Sequence, residues 1–154
     1  MSLRNKIPED LKNALRNKNA VELSVLRMLQ SAIRNKEIEK NKSELTDEEV
    51  IEVITSEIKK RRESIEGYTK GRRQDLADRE NSELEVLMKY MPKQLTEEEV
   101  REEVRKAIQE SGINNSKELG KVMKVIIPRT KGKADGAMVN RVVREELEKL
   151  EGST

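Results

Sequence analysis

Apolar residues recur at helical spacing along almost the whole chain, and nowhere do they alternate with period two for long enough to make a strand. Leu3, Ile7, Leu11 and Leu15 fall every fourth position and predict a first helix, which Pro8 interrupts. Proline suits a first helical position, so the turn before Pro8 is expected to be separate or kinked, and that boundary stays open. Asn19 with Glu22 reads as an N-cap pair for a second helix, whose stripe of Leu23, Leu26, Leu29, Ala32 and Ile33 fades by Asn41.

Leu45-Thr46-Asp47-Glu48-Glu49-Val50 is a capping box flanked by a hydrophobic staple, and it starts a third helix with Ile51, Ile54, Ile58 and Ile65 inward. Gly67 or Gly71 marks its end. A fourth helix follows from Leu76, Ala77, Leu84, Leu87, Met88 and Met91 and stops before Pro92. Leu95-Thr96-Glu97-Glu98-Glu99-Val100 repeats the box and staple fifty residues later, without any repeat of the neighbouring sequence. Val100, Val104 and Ile108 line the fifth helix, which Gly112 ends. Ser116 is expected to cap a sixth, carrying Leu119, Val122, Met123, Ile126 and Ile127 and closed by Pro128. Asp135 caps a seventh with Met138, Val139, Val142, Val143, Leu147 and Leu150 inward. The pattern predicts an all-α protein: a four-helix N-terminal bundle over residues 1–91 and a small three-helix C-terminal domain over residues 92–154.

Composition narrows the chemistry. Of 154 residues 34% are hydrophobic and 40% charged, and Tyr68 and Tyr90 are the only aromatics. Base stacking on aromatic platforms is therefore disfavoured, whereas recognition of shape and phosphate stays open. Neither Cys nor His occurs. That removes thiolate nucleophiles, disulfides, the usual zinc ligands and the usual general base. No apolar run is long enough to span a membrane and the N-terminus has no apolar signal core, so the expected location is cytoplasmic, with no membrane partner.

The net charge of +2 is unevenly spread, because residues 117–144 hold eight Lys or Arg against Glu118 and Asp135. Lys121, Lys124, Arg129, Lys131, Lys133, Arg141 and Arg144 surround the start of the seventh helix, whose amides and dipole also favour anions. Gly132 and Gly136 would let a backbone come close to a phosphate, but no Walker-type spacing accompanies them. A solvated basic loop beside a capped helix is the plainer reading of the same residues. A second basic cluster, Lys59-Lys60-Arg61-Arg62 followed by Lys70, Arg72 and Arg73, is expected around the end of the third helix, where cations also complement the dipole. The acidic trios Asp47-Glu48-Glu49 and Glu97-Glu98-Glu99 sit in first helical turns and answer orphan amides there. No catalytic residue, metal ligand or cofactor site is read from the sequence.

Gly120-Lys121-Val122-Met123, Pro128, Lys131-Gly132-Lys133-Ala134-Asp135-Gly136 and Val139-Asn140 together resemble the GatB/YqeY family, in particular its free-standing YqeY-type members. Ser24-Val25-Leu26-Arg27-Met28, Lys59-Lys60-Arg61-Arg62-Glu63-Ser64-Ile65 and Tyr90-Met91-Pro92-Lys93-Gln94-Leu95 look like further landmarks in the expected order. Two departures stand out: such members usually carry glycine in place of Lys124, and their inter-helix glycine at the position of Arg72, not Gly71. The resemblance implies a helical bundle with a helical tail, related to the tail of the subunit of glutamine-dependent aminoacyl-tRNA amidotransferase that helps hold tRNA. It leads to the expectation of a non-catalytic tRNA-associated module, with Lys121, Lys131, Lys133 and Arg141 on phosphate. Assistance to an amidotransferase or another translation component, and a protein-interaction scaffold, are the alternatives.

Overall fold

The computed structural model describes residues Ser2–Gly152. Among them are seven α-helices, one short 3-10 turn at Ser116–Glu118 and no strand, so the protein is all-α. The chain divides between Met91 and Pro92 into two compact units.

The first unit holds α1 (Leu3–Arg16), α2 (Ala20–Glu39), α3 (Asp47–Lys70) and α4 (Gln74–Met88). Ile7, Leu26, Leu29, Val50, Ile54 and Leu87 are fully withdrawn from water and form its aliphatic core. Ser2 and Asn19 cap α1 and α2 through their side chains. At α3 the box closes in both directions: Glu49 N donates to Thr46 Oγ1 at 3.2 Å, and Thr46 N to Glu49 Oε1 at 3.0 Å. Tyr90, just beyond α4, is buried and donates from Oη to Asp10 Oδ2 at 2.6 Å, while the Lys6 ammonium lies 5.5 Å from its ring centre.

Three expectations change here. Helix α1 runs uninterrupted through Pro8, which costs the bond that residue 8 would have given to the Arg4 carbonyl; burial of Ile7 and Ala14 outweighs that loss. Leu15 is exposed and Ala14 takes the inward place. Every fourth residue advances about 400°, so a strict four-residue stripe drifts by roughly 40° a step and has left the core face by its fourth member. Between α3 and α4 the left-handed residue is Arg72, with φ 60°, while Gly71 has φ −80°. The chain thus turns where glycine was expected from the resemblance, with an arginine in the strained conformation.

The second unit comprises α5 (Glu97–Ser111), α6 (Leu119–Thr130) and α7 (Gly136–Gly152). Val100, Val104, Val122, Ile126, Val142 and Leu147 are completely buried where the three helices meet. Thr96 and Glu99 form the second reciprocal box, and Gly112 at φ 70° ends α5. Asn115, not Ser116, caps the 3-10 turn; Ser116 instead donates from its amide and hydroxyl to Glu151 Oε1 at 2.6 and 2.9 Å. Pro128 does not close α6, which continues to Thr130. That last residue is buried, and its hydroxyl donates to the Ile126 carbonyl at 3.1 Å, so the final turn is held despite the missing proline donor.

Candidate nucleic-acid interface

Helix α6 buries Val122, Ile126 and Thr130, and this turns Gly120, Lys121, Lys124, Ile127 and Pro128 outward. From Leu119 to Ala134 the sequence contains no carboxylate. The loop after α6 is a tight turn. Lys133 N and Ala134 N both donate to the Thr130 carbonyl, at 2.9 and 3.1 Å, and Gly132 takes φ 75°. It is also held from the start of the unit: Gln94 Nε2 donates to the Gly132 carbonyl at 2.9 Å and to the Pro92 carbonyl at 2.8 Å, and Leu95 N donates to the Lys133 carbonyl at 2.8 Å. The Asp135 carbonyl then accepts from Val139 N at 3.0 Å as α7 begins.

The basic residues divide by how they are engaged. Lys124 and Lys133 are exposed, and no carboxylate pairs with either side chain. Lys131 is exposed beside Gly132, and Lys121 is exposed with a long pair to Glu118 at 3.3 Å. Arg144 donates to the Asn140 side-chain oxygen at 3.2 Å. Arg129 and Arg141 are spoken for. Arg129 meets Glu110 at 2.6 Å; Arg141 is paired with Glu97 and, at 3.0 Å, with Glu145. Hydrogen bonds from these guanidiniums to their carboxylates raise the pKa of both arginines above the ordinary value. Within this cluster Lys124 and Lys133 are therefore the exposed cations that no carboxylate of the described residues engages.

Gly136 differs from the expectation that it relaxes the loop backbone: it lies in α7, has no positive φ, and a methyl group there would meet nothing within 4 Å. In the second cluster, Lys59 and Arg62 are exposed without partners, and Lys60 reaches Glu57 at 3.5 Å. Arg61 is not part of an exposed patch. Its side chain is only 9% exposed and lies against Glu57 Oε2 at 3.2 Å, Glu83 Oε2 at 3.5 Å and Met28 Sδ at 2.9 Å. Its position on the inner face of α3, one turn beyond Ile58, explains this, because charge alone does not reveal which face a residue occupies.

Two buried carboxylates went unread in the sequence. Glu37 accepts from Arg4 Nε at 2.5 Å, Arg4 Nη2 at 3.3 Å and Leu45 N at 3.1 Å. The Arg4 hydrogen bond foremost, then the Leu45 amide, holds its pKa below the ordinary carboxylate value despite burial. Glu146 sits between α5 and α7; burial pushes its carboxyl up, but hydrogen bonds from Arg101, Arg105 and Lys149 outweigh burial and leave it lowered. Among the described residues, no group of three or more carboxylates is placed to hold a metal ion, and no helix is long and apolar enough to cross a membrane.

Comparison with known proteins adds the lineage. The chain is 33% identical over 144 residues to the Altered inheritance of mitochondria protein 41, mitochondrial, of Pyrenophora tritici-repentis, a match covering 91% of this chain and 78% of that protein. The proteins of the same name from Lachancea thermotolerans and Candida glabrata are 34% and 33% identical, over 55% of this chain and 46% and 47% of their own lengths. So the match spans about half of these two relatives. Their names correct the cytoplasmic expectation, since these relatives are designated mitochondrial. An absent apolar core argues only against a secretory signal, whereas mitochondrial targeting relies on amphipathic, Arg-rich segments. The sequence profile of the Yqey-like protein family matches residues 4–147, nearly the whole of both units, and the chain belongs to that family.

Proposed function

We propose that this protein is a non-catalytic, tRNA-associated module whose contact surface is the basic loop after α6. The observation that carries the reading is the carboxylate-free stretch from Leu119 to Ala134, which holds Lys121, Lys124, Lys131 and Lys133 exposed around a glycine-shaped turn. Such a surface contacts phosphates without reading bases, in keeping with a chain that has two tyrosines and no other aromatic residue. The resemblance to the GatB tail supplies tRNA as the ligand class. With neither His nor Cys, the chain lacks the thiol and the imidazole commonly used for glutamine hydrolysis.

A gel-shift titration tests this, using bulk tRNA and a mitochondrial tRNA in parallel because of the relatives' names. About four phosphate contacts correspond to a slope of log affinity against log salt of roughly −3 to −4. The double variant Lys131→Glu with Lys133→Glu should lose most binding. Affinity indifferent to salt, or unchanged in that variant, refutes the loop as the contact surface.

A further inference from the structure

We propose that the outer face of α6, from Gly120 through Lys124 to Ile127, is a close-approach surface on which one sugar-phosphate strand of the RNA lies directly against the helix. The inference rests on the tRNA reading above and extends its footprint from the loop along α6. Its starting point is Gly120. Glycine inside a helix is destabilising because it loses more backbone freedom than any other residue. Among the described residues nothing occupies the place of its missing side chain: Gly120, the second residue of α6, has no positive φ, is exposed, and a methyl group at its position would meet no atom within 4 Å. The bare backbone at Gly120 leaves room for something arriving from outside.

The surroundings of Gly120 specify what arrives. Gly120, Lys124, Ile127 and Lys131 succeed one another along α6 and into the loop at three- or four-residue steps, so they rise along one side at about one turn, near 5.4 Å, each. Lys121 flanks this row, and no carboxylate stands on it. Ile127 is 49% exposed in its midst and no other exposed large hydrophobic residue lies on α6. Cations with one apolar side chain between them match a ribose-phosphate strand, which presents charged oxygens and apolar sugar faces by turns. An acidic protein surface would match the lysines but gives no reason for a bare helix backbone beside them.

The test sets stability against binding in Gly120→Ala, Gly120→Leu and Lys124→Glu, measured on the full chain by thermal unfolding and by tRNA gel shift. Both glycine substitutions are expected to keep or raise Tm, since they improve helix propensity in open space. Gly120→Leu and Lys124→Glu should each weaken tRNA binding at least about tenfold. If Gly120→Ala lowers Tm, the glycine is structural and the inference falls. If Gly120→Leu binds within about twofold of the native chain while the Lys131 and Lys133 double variant loses binding, α6 is not the contact and only the loop reading survives. If the native chain binds no tRNA at low salt, both fall together.

Discussion

Glu37→Ala and Glu37→Gln form a pair whose difference isolates one buried amide. Glu37 is 1% exposed, and among the described residues its carboxylate is the one acceptor of the Leu45 amide, itself on the buried staple residue that precedes α3. Alanine leaves that N–H without a partner, at about 1–3 kcal/mol, and removes the charged contact to Arg4. Because the Arg4 side chain is 28% exposed and can turn to water, that contact contributes about 1 kcal/mol, giving a total near 2–4 kcal/mol. Glutamine keeps an acceptor oxygen for Leu45, so only the Arg4 share, about 1 kcal/mol, is lost. Urea unfolding followed by far-UV circular dichroism reads both values. The pH dependence has a definite sign. Glu37 is held below its unfolded pKa, so its contribution is complete above the ordinary carboxylate range and disappears as pH falls through the depressed value. The Glu37→Gln deficit should therefore be full at about pH 7 and shrink as pH falls below the ordinary carboxylate range. Equal losses in the two variants, or a Glu37→Gln deficit that grows in acid, would refute the assignment.

Other substitutions probe separate parts of the fold. Thr46→Ala and Thr96→Ala should each cost about 1 kcal/mol in chemical denaturation, one in each unit, and their combination should be additive. Arg72→Gly should stabilise by roughly 0.5 kcal/mol, the relief of a left-handed arginine less the entropy glycine adds to the unfolded chain; a loss of stability would show that the strain is not there. Leu147→Ala opens a cavity in the second core and should cost about 2–5 kcal/mol in the same assay. Gln94→Ala should cost about 1 kcal/mol and speed hydrogen exchange around Gly132 and Lys133, with little change elsewhere.

Features decided within a few residues could be read from the sequence. Both capping boxes, the Asn19 cap and the Gly112 stop depend on neighbours three or four positions away, and all are present. Rules about single residues gave way where packing opposed them: Pro8 and Pro128 lie inside helices anchored by buried residues, Ile7 and Ala14 in α1 and Ile126 and Thr130 in α6. The polar partners were the least legible. Arg141 finds Glu97 forty-four positions away, and Arg4 finds Glu37 thirty-three away, so no local pattern announces either pair. The stretch around Lys131 was visible as a charge cluster, but which of its cations are held by carboxylates follows only from how α5, α6 and α7 pack. Arg61 shows the same limit, since one position along a helix separates a solvated cation from a buried one.

The two hydrogen bonds that run from Gln94 and Leu95 to the loop make the backbone just after Pro92 and the backbone carrying Lys133 one mechanical element. The turn that carries Lys131 and Lys133 is thus fastened to residues 94 and 95, before any helix of the second unit begins. Residues 94 and 95 are therefore part of the basic turn's scaffold, although they lie some forty positions before it in sequence.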